Sequence, residues 1–412
     1  MYESVGGVRW RLRAGVRAPE VRPLLEQALE ALATGTARST KTGRRKALYP
    51  LSLGRGDAPD FLLRCNHYPW HVALRRLSRA SHALHELEMA ERLHARGLPV
   101  PLPLAAGERR CGPLVRACFL LIPIVEGASD ILHLAQEGTL SSAERRSLAK
   151  ALGDLSRRAH DAGLLQDDFA PNNFLVRSGA PAEPLLIDFE RAHLKRQVDI
   201  EARGWMLAKL VRALPFVSKT DRLRFLLAYT RQRSEARTWW RTLEEVAHRL
   251  FLRDLKRLGR LTTRDGPRFL RVREGGWQGW AQREAAPTAL HDLAADPPQS
   301  AEAHATVVYH GVSAEEARRL WVTANLLARR ALHAPPLALL HRAGEARLLL
   351  EASTFLPAPR EAAAGIEDLR RRLAVWGAPP TELGPDSVTW VRDPRGRPIA
   401  LLHGPRGFCV QV

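Results

Sequence analysis

Short apolar runs broken by turn-formers open the readable part of the chain. Ala47 to Leu53 and Phe61 to Arg64 flank Gly54-Arg55-Gly56-Asp57-Ala58-Pro59, which predicts two strands joined as a hairpin. From about Ser78 to Ala95 the apolar period becomes helical, with Ala80, Leu84, Leu87 and Ala90 on one face and Gly97 as the stop. Pro101 and Pro103 force extended backbone over Leu98 to Ala105. Ala117 to Val125 reads as a strand ending at Glu126-Gly127. Ser141 and Glu144 have capping-box spacing and start a long helix through Leu148, Leu152 and Leu155 that stops at Gly163. Beyond a hairpin-like stretch from Gln166 to Arg191, Asp199 to Leu214 continues the chain into the helical Thr220 to Arg260.

Composition changes this picture in three respects. With 412 residues and 45% hydrophobic content, the chain is long and apolar enough for two cores. No apolar run approaches the roughly 20 residues that span a bilayer, and Met1 to Arg17 lacks the layout of a secretory signal, so a cytosolic chain is expected. Cys65, Cys111, Cys118 and Cys409 have neither paired nor metal-ligand spacing, which suits reduced thiols. The net charge of +19 points to an anionic partner: nucleic acid, a phosphorylated small molecule or an acidic membrane surface. Only seven of the 63 basic residues are lysine, and the arginines are spread along helical stretches without interleaved aromatics. With no zinc-finger, basic-zipper or RNA-stacking motif beside them, nucleic acid is not expected.

The order strands, helix, strands, helix, hairpin is that of a protein-kinase small lobe leading into its large lobe. Candidate chemistry sits in Gln166-Asp167-Asp168-Phe169-Ala170-Pro171-Asn172-Asn173 and, after a strand, in Leu186-Ile187-Asp188-Phe189-Glu190-Arg191. Phosphoryl transfer needs a carboxylate beside the attacking hydroxyl and oxygen ligands for magnesium. An Asp with an Asn five residues later supplies the first carboxylate and one ligand, and an Asp after the next strand supplies the other. Asp168, Asn173 and Asp188 fit that spacing, and the offset selects Asp168 over Asp167. On the phosphate side, Arg64 stands where a lysine is usual, Glu86 is placed to pair with it, and Lys46 is the nearby lysine. A glycine-rich phosphate loop is poorly defined, with Gly35 and Gly43 flanking Thr36 to Thr42, and His160 suits a packed helix histidine.

From about Arg44 to Tyr229 the sequence resembles the bacterial lipopolysaccharide core kinases, which include heptose kinases and 3-deoxy-D-manno-octulosonic acid (Kdo) kinase. Leu63-Arg64 through Tyr68, Ser78 to Glu86, Gly97 to Ala105, His160-Asp161-Ala162-Gly163-Leu164 and Leu186 to Ala192 carry the likeness. The resemblance implies a kinase-like fold, ATP and magnesium as cofactors, and a sugar hydroxyl of the lipid-linked core oligosaccharide as acceptor. It also implies action at the cytoplasmic face of the inner membrane, whose anionic surface suits a basic chain. Gln166 departs from the pattern, where a histidine is usual. Asp168 would take the acceptor proton, Asn173 and Asp188 would hold magnesium, Arg64 with Glu86 would steady the phosphates, and Leu121 to Glu126 would line the adenine pocket. No Ala-Pro-Glu motif or long activation segment follows Asp188, which disfavours a protein substrate. A non-catalytic scaffold in envelope biogenesis and a kinase of a soluble small molecule are the alternatives.

The last third reads as a worn second copy. Leu93-His94-Ala95-Arg96 through Pro103-Leu104-Ala105 matches Leu326-Leu327-Ala328-Arg329 through Pro336-Leu337-Ala338 at an offset of 233. Tyr309 is expected at the lysine position, Arg319 at the helix glutamate, Ser387 at the Asn and Leu402 or His403 at the second Asp. The fold class expected is therefore α+β: a bilobal protein-kinase-like domain over residues 1–258, with a small β-rich lobe and a helical large lobe. A truncated, degenerate kinase-like (pseudokinase) copy is expected over residues 259–412.

Overall fold

Val8-Arg9-Trp10-Arg11-Leu12 alternates apolar and charged side chains, and it forms a strand with Val8, Trp10 and Leu12 buried. The computed structural model describes the chain except residues 37, 40, 43–45, 53–58, 78, 138, 178–179, 215–216, 286, 296–303, 329–335, 352–353, 357–366, 368, 374–387, 393–397 and 403–412. It is a mixed α and β structure in two units, Met1–Leu210 with Val217–Trp240, and Val211–Phe216 with Arg241–Val412. The predicted turn 54–59 lies outside the described residues except for Pro59, as do Ser78, Gly43 and part of the Thr36 to Thr42 stretch.

The first unit begins with β1 (Tyr2–Val5), β2 (Val8–Leu12), α1 (Ala18–Ala33), β3 (Lys41–Thr42), β4 (Lys46–Leu51) and β5 (Phe61–His67). It continues with α2 (Trp70–Arg75), α3 (His82–Ala95), β6 (Ala105–Cys111) and β7 (Leu114–Pro123). The seven strands form one sheet in the order β1-β2-β6-β7-β5-β4-β3. Strand alternation divides it into two faces. Leu63, Cys65, Phe119 and Leu121 pack with Trp10 and with Leu25 of α1, whereas Cys118 and Leu120 pack with Ala83 and Leu87 of α3. Each of the large side chains buried here contributes about 1.5–3 kcal/mol relative to exposure. Ser81 caps α3 by accepting the Leu84 N–H at 3.3 Å, so the helix starts at His82 and not near Ser78. Gly97 stops it at φ +74°.

Next come β8 (Ala128–Asp130), α4 (Ile131–Glu137), α5 (Ser142–Asp161), β9 (Leu164–Gln166), β10 (Phe174–Arg177), β11 (Ala180–Leu186) and β12 (Ala192–Leu194), followed by α6 (Ile200–Arg212) and α7 (Lys219–Thr230). The predicted capping box is present: Ser141 Oγ accepts the Glu144 N–H at 3.2 Å, and Glu144 accepts the Ser141 N–H at 2.8 Å. β10 pairs antiparallel with β8 and β11, and β9 with β12. Gly153 lets α5 and α7 meet, since a Cβ there would stand 2.2 Å from the Phe225 carbonyl oxygen.

His160, at the end of α5, is fully buried against Phe169, with Nδ1 2.9 Å from the Tyr229 hydroxyl. Burial, helped by the Arg203 charge, pushes its pKa down to about 3. A native pKa below the unfolded one means that the unfolded chain takes up the proton first, so stability falls as pH drops below about 6.5. Chemical denaturation at pH 5 should therefore give a stability about 2 kcal/mol lower than at pH 7 from this residue. His160→Gln should remove that part of the pH slope.

The second unit contains most of α8 (Arg233–Thr262), then β13 (Phe269–Glu274), β14 (Trp277–Gln282), α9 (Pro287–Ala294), β15 (His304–Val312) and α10 (Ala314–Ala328). After these come β16 (Pro336–Arg342), β17 (Gly344–Glu351), β18 (Thr354–Leu356), β19 (Val388–Arg392) and β20 (Pro398–Leu402). Its main sheet has the order β13-β14-β16-β17-β15, around a core of Phe269, Trp321, Leu339 and Leu348. That order repeats β1-β2-β6-β7-β5, and β18-β19-β20 repeats the antiparallel set β8-β10-β11. Thr306-Leu349-Ala338 is a rung across this sheet as Leu63-Leu121-Ala105 is across the first. Tyr309, expected at the lysine position, is buried on β15, and Arg319 lies on α10. Ser387 and His403 lie outside the described residues. Among the described residues no helix is long and apolar enough to cross a membrane.

Candidate active site

Asp188 follows β11 in the left-handed region, at φ +61°. Asp and Asn tolerate that conformation better than most residues, though it still costs energy unless the surroundings fix it. Gln166 fixes it: this buried side chain donates from Nε2 to the Asp188 carbonyl at 2.8 Å and to the Ile187 carbonyl at 3.4 Å. The glutamine that departs from the family pattern is thus an anchor for the Asp188 backbone. The Asp188 carboxylate, about one-third exposed, lies 3.3 Å from Arg64 Nη1 and 3.8 Å from Lys46 Nζ.

The loop before β10 is closed by its own backbone. Ala170 N–H donates to the Asp168 carbonyl at 3.0 Å, Asn173 N–H to Ala170 at 2.9 Å, and Ile187 N–H to Asn173 at 3.0 Å. The buried Asn173 spends Nδ2 on the Asp168 carbonyl at 2.7 Å, so its Oδ1 is the end left for a ligand; Asn172 Nδ2 donates to that oxygen at 3.1 Å. Asp168 and Asp167 are exposed, and the Asp168 carboxylate has no protein hydrogen bond or ion pair among the described residues. Lys209 holds the Asp167 carbonyl.

The opposite wall carries charge. Arg64 on β5 and Glu86 on α3 are both buried and ion-paired through Nη2 and Oε2. Burial opposes the guanidinium charge, but Glu86, Asp188 and Glu190 outweigh it and hold its pKa above the ordinary value. Burial raises the Glu86 pKa against the pull of Arg64. Glu190, inside the candidate segment but given no role by the sequence pattern, accepts from His82 Nδ1 at 2.8 Å and pairs with Lys46 at 3.3 Å. The His82 hydrogen bond, with the neighbouring cations, pulls its pKa to about 2 against the effect of burial.

Lys46, Arg64, Glu86, Asn173 and Asp188 line one cavity of about 650 Å³, closed on its apolar side by Leu62, Ile122 and Leu175. Asp168 is not on its lining; its backbone touches Asn173 at the edge. Of the segment expected against adenine, Ile122 to Val125 line the cavity. Leu121 does not, because strand alternation turns it into the core with Trp10, and Glu126 is exposed.

Cations on one wall face a carboxylate and an amide oxygen on the other, which is equipment for a polyphosphate with a hard divalent cation. Residues 71–229 match the model of the lipopolysaccharide kinase (Kdo/WaaP) family, so the likeness to lipopolysaccharide core kinases holds for that stretch. Glu86, Asp168, Asn173 and Asp188 lie inside the match; Lys46 and Arg64 precede it. The chain is 34% identical over 107 residues to 3-deoxy-D-manno-octulosonic acid kinase of Actinobacillus succinogenes, covering 26% of this chain and 43% of that protein. It is 35% identical over 147 residues to the enzyme of that name from Xanthomonas oryzae pv. oryzae, covering 36% and 52%. The chain thus spans about half the length of the curated relatives it matches. A solved structure titled WaaP in complex with acyl carrier protein aligns with 58% of this chain and 99% of its own, at 20% identity and a TM-score of 0.41.

Proposed function

We propose that this chain is an ATP-dependent phosphotransferase that phosphorylates a sugar hydroxyl, of heptose or Kdo, in the lipopolysaccharide inner core. The observation that carries this is the cavity shared by the Arg64–Glu86 pair, Lys46, Asn173 and Asp188, in a chain whose residues 71–229 match the lipopolysaccharide kinase model. Arg64 and Lys46 bind phosphate oxygens, and Ile122 to Val125 face the adenine. Asp188 and Asn173 Oδ1 hold magnesium, whose charge offsets that developing on the transferred phosphoryl group. One carboxylate and one amide oxygen fit a cation that keeps waters and takes its other ligands from phosphate. Asp168, exposed and without an ion pair among the described residues, accepts the proton of the acceptor hydroxyl as the hydroxyl oxygen bonds to the γ-phosphorus and the bond to ADP breaks. The charge of +19 suits an acceptor held at an anionic membrane surface, with the chain peripheral on its cytoplasmic face.

The repeated strand orders support a second reading of the last third, as a kinase-like copy without metal ligands. In that reading Ser387 stands where the Asn should be and Leu402 or His403 where the second Asp should be, so neither the Asn nor the Asp is kept.

Incubating the purified chain with magnesium-ATP and lipid-linked core acceptors bearing Kdo or heptose tests the proposal. Mass spectrometry should find one added phosphate on a single sugar; ATP binding with no phosphorylated acceptor in either set would overturn the acceptor assignment. Gln166→Leu, which leaves the Asp188 carbonyl without its donor, should lower turnover about tenfold, whereas Gln166→His should retain most of it. Steady-state rates beside thermal melts separate this from unfolding.

A further inference from the structure

One face of the α3 amino-terminal half is tied to the segment after Asp188 at three points. His82 Nδ1 donates to Glu190 Oε1 at 2.8 Å. One turn on, Glu86 holds Arg64, whose other nitrogen reaches Asp188 at 3.3 Å. His85 Nε2 stands 2.8 Å from the Ala192 carbonyl, an acceptor only, so that nitrogen carries the proton. The His82 ring is itself fixed: it packs edge-on against Tyr68, whose hydroxyl accepts the His82 backbone N–H at 3.2 Å. The other Glu190 oxygen takes Lys46 at 3.3 Å, so this one carboxylate bridges α3, β4 and its own loop.

The aim of Arg64 depends on where Glu86 sits, and Glu86 moves with its helix. A helix held at one end by a buried ion pair alone could still pivot about it. A second attachment one turn away removes that freedom. We infer that His82 and Glu190 are positioning residues, a clamp that fixes α3 to residues 188–192 and so keeps Arg64 and Lys46 turned toward the phosphate site. The clamp is built from side chains already present, and no modified residue is needed to assemble it. Its catalytic consequence rests on the phosphotransferase proposal; its structural consequence does not.

The test uses the full chain as wild type, His82→Ala, Glu190→Ala, the double variant and His82→Gln. Amide hydrogen exchange over residues 84–88 should quicken about tenfold in each single variant, and the double should be no worse than the larger single effect, because both remove one bond. The KM for magnesium-ATP should rise with exchange rate across the series, and His82→Gln, which keeps a donor, should recover part of both. Unchanged exchange in both single variants, or effects that simply add in the double, would overturn the clamp. A wild-type chain with protected α3 amides but no ATP turnover would instead sink the phosphotransferase proposal, and the exchange rates would then decide the clamp alone.

Discussion

Asp188→Asn should lower magnesium-dependent ATP turnover by more than about a hundredfold while the melting temperature stays near that of the wild type. Asparagine is the informative replacement because residue 188 sits at φ +61°, where Asn is tolerated and Ala would add backbone strain of about 1 kcal/mol. The substitution keeps the shape and the carbonyl that Gln166 holds, and it removes only the charge between Arg64, Lys46 and the proposed cation. Release of ADP measured in a coupled assay, beside a thermal melt, reads both halves. Turnover within a few-fold of wild type would remove Asp188 from the metal site.

Glu86→Ala should be the most damaging single change to stability in the first unit. It leaves the Arg64 guanidinium, only 5% exposed, without its main counter-ion, and breaking a buried pair in this way costs about 3–5 kcal/mol. At roughly 2–4 °C per kcal/mol for a unit of this size, the midpoint should fall by about 6–20 °C. Replacing both partners, as Arg64→Met with Glu86→Leu, should recover most of that stability and none of the turnover, since the apolar pair needs no solvation and offers nothing to phosphate. A double variant that stays as unstable as Glu86→Ala would mean that the pair serves packing rather than charge balance.

Local codes were the legible part of this chain. The Ser141–Glu144 box, the β4–β5 hairpin and the stop at Gly97 are each set by residues close in sequence, and each is found, whereas of Asp168, Asn173 and Asp188 only the last two line the cavity. The Arg64–Glu86 pair was reachable too, because a strand followed by a helix brings one register into contact. The amino-terminal strands were missed although Val8-Arg9-Trp10-Arg11-Leu12 keeps a period of two, because arginines on the alternate face lower the mean hydropathy. β6 was harder, since Ala105-Ala106-Gly107-Glu108-Arg109-Arg110 has no β-branched or aromatic residue. The contact between Glu190 and His82 left no signal, the two being 108 residues apart and joined only by the fold.

The most direct measurement is calorimetric titration of ATP into the chain with and without magnesium, repeated with Asp188→Asn. A single site per chain that tightens at least about tenfold with magnesium, and loses that gain in Asp188→Asn, is the predicted result. ATP affinity that ignores magnesium, or a magnesium effect that survives the substitution, would contradict a metal held by Asp188 and Asn173.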